Sequence, residues 1–279
     1  MDFSKPSLGR SLGLYFARPL SRILTQPGIY RRAWLIDVYF NFLIGKGAGT
    51  GWDMENEIKA AAGLIYRRNP TVFDIGANVG KWSKMLLAKL PEARVFMCEP
   101  SPTSQAEIRK LNLHNATLLP LAAGERAEKA VLYSSRGCDG SASLHARVDT
   151  YFSKRTYEAI DIETITVDEI AESNHLDFID FIKMDIEGHE LFALRGAQKC
   201  LANRRIGALL FEFGFGNINS RTFFNDFWDL LAPDFRIYRI TPSGKPQLLE
   251  EYYEDLEYFR GGTNYIAELK SHPLKTGGE

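Results

Sequence analysis

The segment Val72-Phe-Asp-Ile-Gly-Ala-Asn-Val-Gly80 constrains the chain more than any other. It reads as a strand that runs into a glycine turn and then into a helix beginning near Lys81, the opening of a βαβ unit. Gly76 and Gly80 let the backbone turn sharply and approach a ligand where a Cβ would collide. Their spacing is G-x-x-x-G with Asn78 at the centre, whereas a dinucleotide fold calls for G-x-G-x-x-G and seats a pyrophosphate on the helix N-terminus. The spacing therefore points to a nucleoside ligand without a pyrophosphate and argues against a nicotinamide dehydrogenase. Val95-Phe-Met-Cys-Glu99 ends the next strand in an acid about 20 residues past the turn, where a carboxylate accepts hydrogen bonds from both ribose hydroxyls. The plain alternative is that the glycines are turn residues and that Glu99 caps the following helix.

From Pro70 onward, short β-rich runs alternate with helical stretches, which predicts an α/β fold with a mostly parallel sheet covered by helices. The runs are 71–75, 94–98, 117–121, 178–184 and 208–213, with further strand candidates at 235–240 and 265–267 and a turn at 241–246. Ser101 before Pro102 marks a helix start, and Thr166 with Glu169 a capping box. A helical segment is expected over 53–68, after a flexible glycine-rich break at 45–51. Ahead of that break, residues 1–33 carry Lys5, Arg10, Arg18, Arg22, Arg31 and Arg32 against the single acid Asp2. Interleaved apolar residues make this a basic, partly amphipathic helical arm. It either packs on the main domain with its arginines in solvent or makes peripheral contact with a membrane or a lipid-linked substrate. The chain thus divides into an N-terminal helical extension, 1–52, and a main domain, 53–279.

The 279 residues are 45% hydrophobic and 25% charged, the composition of a soluble globular protein. Lys and Arg number 34 against 35 Asp and Glu, so no overall positive field collects nucleic acid. That balance sums the basic arm with an acidic stretch, Glu250-Glu-Tyr-Tyr-Glu-Asp-Leu-Glu257, and leaves room for an anionic or membrane-bound acceptor. Cys98, Cys138 and Cys200 are odd in number and form no CxxC pair, which indicates neither a disulfide framework nor a thiolate zinc site and fits a reducing cytoplasm. The apolar stretch 34–44, broken by Asp37 and Asn41, is too short to cross a hydrocarbon core of ~30 Å. The location expected is the cytoplasm, free or at the inner face of the membrane. Nothing in the sequence specifies an oligomeric state.

The chain resembles the FkbM-type S-adenosylmethionine-dependent methyltransferases. The resemblance rests on Phe73-Asp-Ile-Gly-Ala-Asn-Val-Gly80, Cys98-Glu-Pro-Ser-Pro102, Ile182-Lys-Met-Asp-Ile-Glu-Gly-His-Glu190 and Asn264-Tyr-Ile-Ala267, in the family's order, and covers about residues 53–267. It implies a class I, Rossmann-like methyltransferase fold: a seven-stranded, mostly parallel sheet with helices on both faces and an antiparallel last strand. It also implies S-adenosylmethionine as cofactor and transfer usually to an oxygen. On this chain it makes Gly76, Asn78 and Gly80 the turn beside the methionine portion and Asp74 a partner of its ammonium group, directly or through water. Glu99 becomes the ribose ligand, Pro100 and Ser101 lie beside the adenine, and Ala122 and Ala123 meet its edge.

Methyl transfer to a hydroxyl needs an in-line geometry and a proton acceptor. The candidates follow two strands: Asp185 lines the transfer pocket, and His189 or Glu212 takes the proton. Histidine has an ordinary pKa near neutrality, whereas a carboxylate needs desolvation to become basic enough. The same acids allow a second mechanism, in which Asp185, Glu187 and Glu212 hold Mg²⁺ or Mn²⁺. Glu190 reads as a first-turn acid favoured by the helix dipole. The glycine- and serine-rich loop 136–144 is of the kind that closes over a site, and 213–219 offers amides and aromatics to a sugar ring. The leading expectation is O-methylation of a small polar molecule, sugar or glycan, free or lipid-linked. The alternatives are N- or O-methylation of a lipid or peptide, and a non-catalytic nucleoside-binding scaffold.

Overall fold

The computed structural model describes residues 8–47, 54–135, 140–146, 156–259 and 261–271. The chain begins with helices α1 (Leu8–Leu24), α2 (Pro27–Leu43) and α3 (Met54–Leu64). There follow β1 (Thr71–Ile75), α4 (Lys81–Lys89), β2 (Arg94–Cys98), α5 (Pro102–Lys110), β3 (Ala116–Leu119), β4 (Ala122–Ala123), β5 (Lys129–Ser135), β6 (Tyr157–Ile165), α6 (Val167–Ser173) and β7 (Ile179–Met184). The remainder runs α7 (Glu190–Arg195), α8 (Gln198–Ala202), β8 (Ile206–Phe213), α9 (Phe215–Ser220), α10 (Phe224–Leu231), β9 (Phe235–Ile240), β10 (Pro246–Leu249), a 3₁₀ turn (Glu254–Glu257) and β11 (Thr263–Leu269).

The main sheet has the order β10-β9-β11-β8-β7-β1-β2-β3. β3, β2, β1, β7 and β8 pair in parallel, and β11 is antiparallel to both β8 and β9. Seven strands with an antiparallel last one are therefore present, as the class I methyltransferase fold requires. An eighth, β10, extends the edge as a hairpin with β9. A separate three-stranded sheet, β4-β6-β5, was not among the expected strands. The long run of β6 is mostly solvent-facing and lacks the apolar continuity that marks the central strands.

Alternation along the strands divides the core between the two faces of the sheet. Phe73, Ile75, Phe96, Ile182, Leu209 and Phe211 face one side, under α6, α7, α8 and α10. Val72, Val95, Met97, Phe181, Ala208 and Leu210 face the other, under α3, α4 and α5. Every residue of β7 is buried, as a central parallel strand demands. Each fully buried Phe in this core contributes about 1.5–3 kcal/mol. Thr166 and Glu169 form the expected capping box of α6. Cys98 and Cys200 are free and buried, while Cys138 lies outside the described residues.

Candidate active site at the carboxyl edge of the sheet

The parallel register decides which residues meet. Ile75 pairs with Cys98 of β2 and with Met184 of β7, and Met184 pairs with Phe211 of β8. The residues that follow these, Glu99, Gly76, Asp185 and Glu212, fall in one row across the carboxyl ends of four adjacent strands, where open α/β sheets bind ligands. Asn264 of β11 continues the row, paired with Glu212.

A cleft over this row is lined by Gly76, Asn78, Glu99, Pro100, Ser101, Ala122, Asp185 and Glu187, and by Gly140, Ala142 and Leu144 from the segment after β5. Residues 136–139 of the expected loop 136–144 lie outside the described residues. The turn is held from below: Gly76 and Ala77 donate their backbone N–H groups to the Cys98 carbonyl at 3.0 and 3.1 Å. Gly76 has a φ of 80°, and a Cβ there would stand 2.0 Å from the carbonyl oxygen of Asp185. The residue is glycine because β1 and β7 leave the sheet side by side.

Glu99 is buried, and its two oxygens accept backbone N–H bonds from Asn78 and Ser101, each 2.8 Å. Burial pushes its pKa up to about 7, against the lowering effect of these two bonds and of Lys183. Gln105 of α5 donates to the carbonyls of Glu99 and Pro100 and fixes this segment at the cleft wall.

Behind the turn lies a buried ion pair set by register, since Asp74 and Lys183 are cross-strand neighbours. Lys183 Nζ stands 3.3 Å from Asp74 Oδ1 and 3.8 Å from Asp185 Oδ2, and it donates to the Gly76 carbonyl at 2.9 Å. Burial opposes the lysine's charge, but Asp74, Asp185 and Glu57 outweigh it, so its pKa is raised. Ser83 of α4 donates to the other Asp74 oxygen at 2.6 Å.

Three residues expected at the ligand stand elsewhere. Asp74 is fully buried against Ser83 and Lys183, because its side chain projects from inside the strand rather than from its end. Gly80 caps α4 and faces Leu111 and Ile108 of the α5 region. His189 is stacked on Phe192, with ring centroids 4.6 Å apart, and its Nδ1 lies 3.0 Å from Nε2 of His145. Burial and the neighbouring His145 push its pKa down to about 3, which makes it a weak proton acceptor. Glu212 sits in the row beside Asp185, half-buried and against Gly262. Burial, followed by the charges of Asp185, Glu187, Glu190 and Glu57, raises its pKa well above the ordinary carboxylate value. Among the described residues no group of three or more His, Cys, Asp or Glu side chains is arranged to hold a metal ion, so Asp185, Glu187 and Glu212 do not assemble the Mg²⁺ or Mn²⁺ site considered from sequence.

Glu57 and His145 gave no sequence signal of their own, and what Asn264 and Ser143 would bond was not legible from their motif and loop. Glu57 of α3 accepts a 2.8 Å bond from Asn264, and Ser143 donates to the Glu187 carbonyl at 2.8 Å. These pairs, like His145 with His189, join segments far apart in the chain. Lys183 lies in the segment 182–190, and the apolar residues beside it on β7 are the signal that a charge there needs a buried partner.

Residues 74–239, more than half of the chain, match the methyltransferase FkbM domain. The chain belongs to the FkbM methyltransferase family. This FkbM member is 28% identical over 153 residues to the 2-O-methyltransferase NoeI of Sinorhizobium fredii, covering 51% of this chain and 63% of NoeI. It is 30% identical over 132 residues to the hexuronic acid methyltransferase AglP of Haloferax volcanii, covering 47% of this chain and 51% of AglP. The match thus spans less than two thirds of either relative's length. The structure of M. capricolum TrmK in complex with S-adenosylhomocysteine aligns at 11% identity with a TM-score of 0.38, covering 80% of this chain and 71% of TrmK, a likeness too distant to bear on function.

Glu190 holds the turn between β7 and α7 in this FkbM chain. Its carboxylate accepts N–H bonds from Ile186 at 2.8 Å and Gly188 at 3.0 Å. Burial pushes its pKa up to about 8 in spite of these bonds, with Asp185 adding to the rise. The folded state therefore keeps a proton that the unfolded chain releases above the ordinary value of 4.5. The stability that Glu190 contributes is full below that value and is lost as pH rises to about 8. His145 and His189, whose pKa values are lowered, act with the opposite sign, so the comparison must be between variants. Glu190→Gln should melt close to wild type near pH 5 and gain on it steadily up to about pH 8. A constant difference in melting temperature across that range would show that the acid is not buried as described.

Proposed function

We propose that the chain is an S-adenosylmethionine-dependent O-methyltransferase that modifies a hydroxyl of a sugar or glycan, with 53–279 as the catalytic domain and 1–52 as an extension. The observation that carries this reading is the acid-rich row at the glycine turn. Asp185 and Glu187 line the cleft with Glu99 beyond the turn, Glu212 continues the row, and Lys183 faces Asp185. Carboxylates at the cleft wall favour a nucleoside that carries a sulfonium and an ammonium, and they oppose the pyrophosphate of a dinucleotide. The names of NoeI and AglP, a 2-O-methyltransferase and a hexuronic acid methyltransferase, support a sugar hydroxyl as acceptor.

In this reading Glu99 keeps its two backbone donors and accepts the ribose hydroxyls with its remaining lone pairs. Pro100, Ser101 and Ala122 border the adenine, and the turn at Gly76 and Asn78 passes beside the methionine portion. Asp185, with a side chain 19% exposed at the cleft wall, replaces the buried Asp74 as partner of the ammonium group. S-adenosylmethionine supplies a methyl group on a sulfonium, and in the in-line displacement its C–S bond breaks as the C–O bond forms. Glu212, beside Asp185 in the row, is the base of this reading: in its ionised form it takes the hydroxyl proton, and burial among other acids makes that form strongly basic. The products are S-adenosylhomocysteine and a methyl ether.

Calorimetry with S-adenosylmethionine and with NAD, followed by transfer of a labelled methyl group to a panel of glycans, tests the reading. The expected result is binding of S-adenosylmethionine alone and mass-spectrometric location of the label on a sugar oxygen, at a rate unchanged by a chelator. Binding of NAD alone, or label confined to a peptide, a lipid hydroxyl or a nitrogen, overturns it. Cofactor binding with no transfer to any acceptor class would instead favour a non-catalytic scaffold.

A further inference from the structure

The N-terminal helices stand apart from both cores. No residue of α2 is buried, and Tyr15, Phe16, Tyr39 and Phe40 are 76%, 65%, 60% and 62% exposed. Trp34 and Ile36 are exposed beside them. So many large apolar side chains exposed on two neighbouring helices mark an interaction site. On α1 the positions of Tyr15, Phe16, Leu20 and Ile23 share one face, and Arg18 and Arg22 lie along one edge of it.

Charge identifies the occupant. Along 8–43 the sequence carries Arg10, Arg18, Arg22, Arg31 and Arg32 against one acid, Asp37, which accepts a 3.0 Å bond from Asn41. An apolar, aromatic-rich surface bordered by arginines complements an anionic lipid surface, in which rings enter the interface and guanidinium groups meet phosphates. No helix among the described residues is long and apolar enough to cross a membrane, so these helices would lie on the bilayer.

The attachment point sets the orientation. The residues after α2 join the body at the ligand-binding edge of the sheet. Buried Lys46 pairs with Asp255, and Gly47 donates to Thr263 Oγ1 at 2.9 Å. Thr263 is paired with Phe213, the last residue of β8 and the neighbour of Glu212. Exposed Phe215 and Ile218 of α9 lie just beyond this strand end.

We propose that α1 and α2 dock on an anionic phospholipid bilayer and turn the carboxyl edge of the sheet toward it. The acceptor would then be a glycan carried on a lipid, a clause that rests on the function proposed above, whereas the docking does not. The full chain should co-sediment with vesicles of phosphatidylcholine plus phosphatidylglycerol, more weakly with phosphatidylcholine alone, and less as salt rises. The double variant Arg18→Gln/Arg22→Gln should weaken this binding about 30-fold, and Phe16→Ser/Phe40→Ser should weaken it further. Calorimetric affinity for S-adenosylmethionine should stay unchanged in both, which separates failure of docking from failure of the functional reading. Absence of binding to anionic vesicles, or equal binding to both vesicle types, overturns the proposal. So does light scattering that shows a dimer dispersed by the same substitutions, since a second copy would then cover the face.

Discussion

Gly76→Val is expected to abolish measurable binding of S-adenosylmethionine and to lower the melting temperature. Residue 76 has a φ of 80°, a region that β-branched residues avoid, at a cost of roughly 1–3 kcal/mol. The new Cβ would also lie 2.0 Å from the Asp185 carbonyl oxygen and 2.8 Å from Ile186 Cγ2. The first of these is backbone, tied down by the 3.1 Å bond from Asp185 N–H to the Ile75 carbonyl, so it cannot swing aside as a side-chain end would. Overpacking of this kind adds about 1–3 kcal/mol. The turn must therefore move, and with it the Asn78 N–H that orients Glu99 and the wall that Asp185 forms. An affinity loss on the order of 100-fold or more follows. Gly80→Ala is the control, because it strains the start of α4 against Leu111 without touching the cleft. A folded Gly76→Val protein that binds the cofactor like wild type would show that the ligand does not sit at this turn.

Lys183→Met is expected to cost about 3–5 kcal/mol of stability, because removal of one partner of a buried ion pair leaves the other charge uncompensated. Lys183 is buried between Asp74, Asp185 and the Gly76 carbonyl, so the loss reaches the strand interior and the glycine turn together. Met keeps most of the side-chain volume and isolates the charge. The double variant Lys183→Met/Asp74→Asn should recover part of the deficit, since Asn removes the stranded charge and still accepts from Ser83. Denaturant melts of the four proteins complete the cycle. A single variant as stable as wild type, or losses that simply add, would mean that the pair does not act as a unit.

The elements of the fold were legible where the signal is local. Apolar, β-rich runs mark β1, β2, β7 and β8, and the cap pairs at Ser101-Pro102 and at Thr166 with Glu169 mark helix starts to the residue. The weaker pattern of β5 and β6 left the second sheet unread, and β10 became visible only as the return arm of a hairpin.

The amino-acid sequence by itself determined the glycine turn, the acids that end each strand and the exclusion of a pyrophosphate cradle, because each depends on residue type at short spacing. Only the tertiary structure decided that Glu99, Gly76, Asp185 and Glu212 form one row, since strand register is chosen by packing on both faces of the sheet. It also decided what each charged group is. His189 becomes a weak base because His145, 44 residues earlier in the chain, and Phe192 close over it. Asp74 becomes a structural anion because register sets it beside Lys183. A side chain's chemistry depends on its solvent and its neighbours, and in this protein both are supplied by segments the chain brings together only on folding.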